Sequence, residues 1–184
     1  MEVLAARRIR AARFWLEGEW SALDSAWLEE PLRGPGGGLE YRCSDAISLR
    51  GTYVDGHRRN SASRFLDLGG SVNVSEETDG HAATVSCVWT IWMPHSIALQ
   101  FEAGLENRVE TLERTLEFSD NIRGTRRQSF RHDFTAPCVG ASFCIHTSTP
   151  GVIRIAGRWA PELGEEVRNY ALSLSLGPGF GKIR

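Results

Sequence analysis

The stretch HAATVSCVWTIWM, residues 81–93, constrains the fold more than any other part of the chain. Ala83, Val85, Cys87, Trp89, Ile91 and Met93 alternate with Thr84, Ser86, Thr90 and Trp92, and a side-chain period of two belongs to a β-strand. A strand here places Ala83, Val85, Cys87, Trp89 and Ile91 on one buried face and Thr84 on the solvent side, because a one-residue slip exchanges the faces. Pro94 ends the run. SIALQF carries the alternation on through Ile97, Leu99 and Phe101, and QSFRHDF, ASFCIHT, GVIRIAG and ALSLSL repeat it between short turn signals. Five or more strands with short connections and no βαβ spacing predict an antiparallel sheet.

Around this framework the signals are mixed. Residues 2–30 read as helical or mixed, with Val3, Leu4, Ala11, Phe14 and Trp15 on the apolar side of an N-terminal helix and arginines facing water. The same Arg-rich, acid-poor start has part of the composition of an organelle transit peptide. Pro31 and the following RGPGGG predict a loop. In AISLRGTYV, Ile47, Leu49 and Tyr53 share a face, and Asp55-Gly56 predicts a hairpin turn. In AGLENRVETLERTLEFSDN, Leu105, Val109, Leu112 and Leu116 recur at helical spacing, whereas Thr111, Thr115 and Phe118 suit a strand turning at SDNIRG; neighbouring strands favour the latter. One domain follows: residues 1–30 a helical segment leading into the first strand, 39–176 the barrel strands, 177–184 a flexible tail.

Composition narrows the function. A chain of 184 residues buries about two-thirds of its unfolded surface in one core. Its 21 basic and 23 acidic residues give a net charge of -2, so no global field recruits nucleic acid or an anionic membrane. Cys43, Cys87, Cys138 and Cys144 include no C-x-x-C pair and read as buried free thiols in a reducing compartment. No apolar run approaches the ~20 residues of a membrane-spanning helix. A soluble protein is expected, cytoplasmic or organellar and not secreted.

Within FWLEGEW, residues 14–20, Gly18-Glu19-Trp20 resembles the G-x-W signature of the first strand in lipocalins and the wider calycin superfamily. The resemblance implies a mainly β, calycin-like barrel in which Gly18 and Trp20 are structural. Trp20 would close one end, stacked under an arginine from late in the chain, with Arg154 or Arg158 of GVIRIAGRW as its partner. Members without a secretory signal include fatty-acid-binding proteins, haem-binding nitrobindin-like proteins and bilin lyases; the glycine-rich opening of the nitrobindin-like group is missing here. A closed sheet of about eight strands has an interior large enough for one small ligand.

Candidate chemistry follows from the strand phases. His132 shares a face with Phe130 and Phe134, Trp89 faces inward as a wall against a planar ligand, and Arg127 stands at the rim to hold an acidic group. These five form the expected binding set. Cys144 and His146 share a face, but Cys138 would have to reach across a turn, so no metal site is expected. The leading expectation is a carrier, chaperone or bilin-lyase-like binder of a small apolar or amphipathic ligand, with a protein client as a further partner. The alternatives are a cyclase or isomerase using His132 or His95, and an RNA-binding or interaction subunit using Arg123, Arg126, Arg127 and Arg131. Glu102, Glu106, Glu110, Glu113 and Glu117 offset that strip and disfavour nucleic acid. No phosphate loop, nucleophile elbow or zinc-protease motif is present, and neither a catalytic residue nor a cofactor is named by the sequence.

Overall fold

A computed structural model describes residues 13–24, 31–65, 70–119, 124–147, 151–161 and 168–180. They form eight strands: β1 Phe14–Asp24, β2 Leu32–Arg42, β3 Ile47–Phe65, β4 Ser71–Trp92, β5 Ile97–Phe118, β6 Thr125–His146, β7 Gly151–Pro161 and β8 Arg168–Phe180. Each pairs antiparallel with the next, and β8 returns to β1 to close the barrel. No α-helix occurs among the described residues.

Several local expectations are corrected. Phe14 and Trp15 open a strand and not a helix, while Val3, Leu4 and Ala11 lie outside the described residues. The barrel begins at Phe14, well before residue 39, and continues past residue 176 to Phe180. The glycine and proline run at 31–38 belongs to β2, where a Cβ on Gly34 would lie 1.6 Å from the Asp55 carbonyl oxygen and one on Gly36 2.4 Å from that of Tyr53. These glycines let β2 and β3 approach closely; they do not interrupt the sheet. Asp55-Gly56 is likewise internal to β3, paired with His81 and Gly80. Residues 105–118 are strand, within β5, in agreement with the reading that their neighbours favour. The β4–β5 turn is built on His95 and Ser96 at φ 60° and 61°, the positive values that a tight hairpin of matching twist requires at both central positions.

The alternation has the expected phase and the opposite sense. Val85, Trp89 and Ile91 face outward, with 69%, 55% and 39% of their surface exposed, while Thr84, Ser86 and Thr90 point into the barrel. The inversion runs around the whole wall. Leu16, Leu39, Leu49, Leu105, Ile155, Leu172 and Leu176 are exposed, and Glu17, Glu40, Arg50, Glu102, Glu106, Arg108, Arg154 and Arg158 are buried. Water would oppose both features: it favours covering leucine and hydrating charge.

Strand lengths divide the molecule along its axis. β1, β2 and β7 have 11 residues each, whereas β4, β5 and β6 have 22. At ~3.3 Å per residue the additional half amounts to roughly 36 Å of strand. Pairing of β3 with β2 ends at His57 and that of β6 with β7 at Val139, but β3–β4–β5–β6 stay paired to Phe65↔Ser71 and Glu117↔Thr125. A four-stranded sheet therefore projects beyond one rim of the barrel. At the opposite rim β2–β3 and β4–β5 are joined by short turns, and β1 begins and β8 ends there.

Candidate functional site

The interior is a ladder of ion pairs held between two apolar layers. Arg154, on β7, donates from Nη1 to Glu17 at 2.5 and 2.6 Å and from Nη2 to Glu40, joining β7 to β1 and β2. Arg50 lies 3.5 Å from Glu17 and 3.7 Å from Glu102. Arg158 donates to Glu102 at 2.9 Å and lies 3.5 Å from Glu106, which in turn accepts from Arg108 at 2.8 Å. Arg108 reaches Glu110 at 3.7 Å and the Asp24 carbonyl at 2.8 Å. Ser175 donates to Glu17 at 2.6 Å, and Arg158 also donates to the Thr84 hydroxyl at 3.0 Å. β1, β2, β3, β5 and β7 supply the charged members, and alternating signs satisfy charges that burial alone would make prohibitive.

The apolar layers close the two ends of this ladder. Trp15, Ala98, Cys144 and Val152 pack near the short-turn rim, and Leu23, Leu32, Val54, Ala82 and Ala171 near the other. An eight-stranded barrel is just wide enough for its own side chains, and these layers with the ladder occupy it. Arg42 lies over Trp15 at 5.7 Å and over Trp92 at 5.0 Å, with His146 edge-on to Trp15 at 5.1 Å. A tryptophan–arginine closure thus exists, made by Trp15 and Arg42 and not by Trp20. Trp20 is 59% exposed on the outer wall, and Arg154 and Arg158 belong to the ladder. Gly18 pairs with Gly37 and Leu176 in the barrel wall.

Of the five expected binding residues, three come together. Phe130, His132 and Phe134 share one face of β6, the face continuous with the lumen; Phe134 is buried, and its ring lies 5.2 Å from that of His132. Phe130 and His132 line a cavity of about 560 Å³ with Thr78, Glu110, Leu112 and Arg114, on the inner side of the projecting sheet. Arg127 is on the opposite face of β6, exposed. Trp89 is opposite Ile47 near the short-turn rim, facing outward, and has no part in that cavity. On the outer face of the sheet, His57 meets Asp79 at 2.5 Å and Glu77 at 3.8 Å. The Asp79 hydrogen bond raises the His57 pKa above its ordinary value, and the nearby carboxylate charges add to the shift.

The ladder residues Glu17, Glu40, Arg50, Glu102, Glu106 and Arg108 were not candidates from sequence. Their signal is present in it: Glu17 and Glu19, Glu40 and Arg42, Glu106, Arg108 and Glu110 sit two apart, in phase on one strand face. Acids and bases repeating on a single face, opposite a face of Leu, Ile and Trp, leave charge inside whenever the apolar face has lipid to meet.

No protein family matches the sequence, and no curated protein does. Solved structures do. The chain is similar to Ail, the attachment invasion locus protein of Yersinia pestis, at 15% identity and a TM-score of 0.58, covering 92% of this chain and 97% of that one. It is also similar to the N-terminal β-barrel domain of Pseudomonas aeruginosa OprF, at 15% identity and 0.55, covering 92% and 99%. OprG, an outer membrane protein of the same organism, matches at 7% and 0.51, covering 92% and 94%. The fold is that of an eight-stranded outer-membrane barrel.

This overturns the calycin resemblance. A barrel standing in water turns its apolar face inward, whereas this wall carries its apolar residues outside and its charges within. The expectations of a soluble protein without a membrane span, of a cytoplasmic or organellar location, and of a carrier or lyase for a small ligand in the lumen fall with it. The cyclase and RNA-binding alternatives are left without support. A helical span needs ~20 apolar residues, but a tilted strand crosses with ~9–11, only every second of them apolar, so a search for long apolar runs passes over a barrel.

Proposed function

We propose that this chain is an integral β-barrel of a bacterial outer membrane, that its lumen is closed to solutes, and that it anchors the projecting β3–β6 sheet outside the bilayer as a contact surface. The observation that carries this reading is the inverted wall: Leu16, Val85, Leu105 and Leu172 outside, Glu17, Arg50, Arg108 and Arg154 inside. In hydrocarbon that arrangement costs nothing at the leucines and satisfies every strand backbone through closure of the sheet. Aromatic residues sit toward the two rims, as in barrels with interfacial girdles: Phe14, Trp89 and Phe180 at the short-turn end, Tyr53, Trp159 and Tyr170 at the other. Short turns face the periplasm in such barrels, which directs the projecting sheet outward. Among the neighbours, Ail has been crystallised with the heparin analogue sucrose octasulfate, so one barrel of this fold holds a ligand of that kind.

Reconstitution into phospholipid vesicles tests the reading. Folded protein should remain with vesicles through alkaline carbonate extraction, run faster on gels unheated than boiled, and give no conductance steps in planar bilayers. Release of folded protein into the aqueous phase overturns the membrane reading; a stable open-channel current overturns the closed lumen.

A further inference from the structure

Six glutamates and five arginines are buried among the described residues. Five of the glutamates alternate with four of the arginines without a break from Glu40 to Glu110, and Arg42, drawn to Glu40, adds the fifth cation at one end. That chain is neutral. Glu19 stands outside it, so with histidine counted neutral the buried interior carries one negative charge in excess. Glu19 is 6% exposed; its Oε1 accepts from Ser21 at 2.6 Å, and its Oε2 is buried with no hydrogen-bond partner in the protein. The arginine whose charge reaches it, Arg158, is committed to Glu102 at 2.9 Å and to Glu106 at 3.5 Å. An enclosed carboxylate without a counter-charge is costly, whatever surrounds the outer wall.

The positions around Glu19 offer oxygen and little bulk. Glu19 is opposite Gly36 on β2 and Ser175 on β8, and Ser21, next on the same face, is opposite Gly34 and Ser173. A Cβ on Gly34 or Gly36 would fall 1.6 or 2.4 Å from the carbonyl oxygen of Asp55 or Tyr53. Backbone carbonyls therefore stand where β2 would otherwise send side chains inward. Ser21 and Ser173, both buried, add hydroxyls from β1 and β8.

We infer that Glu19, with these carbonyls and hydroxyls, binds one monovalent cation of sodium or potassium size inside the barrel. One positive charge balances the interior, whereas a divalent ion would leave it positive. No group of three or more acidic, histidine or cysteine side chains is placed to hold a metal ion among the described residues, so the interior suits an ion that asks for a single carboxylate and neutral oxygens. A proton in its place would turn Oε2 into a donor, and no protein acceptor stands within hydrogen-bond reach of it. An ion is less demanding, because its other ligands lie on its far side, farther from Oε2 than a hydrogen bond spans. The ion enters as the barrel forms, so a lumen closed to larger solutes does not exclude it.

Equilibrium urea unfolding of the full chain in non-ionic detergent micelles tests the site, and reads the same whether or not the barrel stands in a membrane. Sodium chloride is exchanged stepwise for N-methylglucamine chloride at constant ionic strength, which holds screening fixed while removing the small cation. The folding equilibrium should rise roughly tenfold between no sodium and about 0.3 M, as a site with a Kd near 30 mM requires, and the rise should saturate. Glu19→Gln keeps the side-chain shape and should abolish the sodium dependence, while being at least as stable as the parent in N-methylglucamine. Ser173→Ala leaves the carboxylate in place and should shift the sodium midpoint upward several-fold, which keeps the test readable if Glu19→Gln does not fold. Unheated gel mobility certifies that each variant is folded. Equal stability of the parent in the two salts overturns the proposal. A sodium dependence that survives unchanged in folded Glu19→Gln, or in Ser173→Ala where that variant stands in for it, places the ion elsewhere and overturns it as well.

Discussion

Replacing Arg154 with methionine removes the cation that two carboxylates share. Arg154, Glu17 and Glu40 are each 1% exposed in their side chains, so neither water nor movement toward the surface relieves the change. Glu17 retains Arg50 at 3.5 Å and Ser175 at 2.6 Å, whereas Glu40 keeps Gln100 at 3.5 Å and the weaker attraction of Arg50 and Arg42. Removing one partner of a buried ion pair costs about 3–5 kcal/mol. That corresponds to roughly two to four powers of ten in the folding equilibrium. Urea unfolding in vesicles, followed by the folded-to-unfolded gel shift, reads it. The triple variant with Glu17→Gln and Glu40→Gln should recover most of the loss, because the penalty belongs to unpaired charge and not to missing volume. Stability of Arg154→Met within about 0.5 kcal/mol of the parent would refute the ladder as a coupled structure.

Three further outcomes follow from the same geometry. Trp15→Ala should cost ~3–5 kcal/mol, the range for a buried aromatic, while Trp20→Ala on the outer wall should cost much less; unfolding of both variants in lipid compares them. Gly34→Ala should disrupt the β2–β3 ladder, since its methyl would fall 1.6 Å from the Asp55 carbonyl oxygen, and amide exchange across Arg33–Gly38 should rise. His57 should titrate above ~6.5 in the folded protein and return toward it in Asp79→Asn. A raised folded pKa stabilises below the unfolded value and loses that contribution as pH rises through the folded one. Imidazole proton shifts measured against pH show both.

Much of the wall was legible in the sequence. The phase of residues 83–91 is as the alternation indicates, and Phe130, His132 and Phe134 do share a face. What period two does not carry is its sense: a strand with leucine on one face and charge on the other reads identically for a soluble and a membrane barrel. The solvent decides which face turns inward, and the solvent is not written in one strand. Trp89 and Val85 therefore moved from an expected core to the outer surface without any change of register. The glycine-rich β2 misled for another reason. Gly34 and Gly36 answer to carbonyls on β3, a contact between strands that no local turn rule contains. Trp89 and Phe130 were grouped because both are large and aromatic on alternating strands, but β4 and β6 are 22 residues long, and the two residues stand at opposite ends of them.

The most direct test of the central claim is site-directed nitroxide scanning of residues 83–91 in lipid vesicles, recording collision with oxygen and with a water-soluble nickel chelate. Ala83, Val85, Cys87, Trp89 and Ile91 should be high in oxygen and low in nickel contact, with a minimum of nickel near the bilayer centre, and Thr84, Ser86, Val88 and Thr90 should be low in both. Nickel contact at Val85 and Trp89 matching that of an exposed site on the projecting sheet, such as Ser61, would place the apolar wall in water and contradict the account.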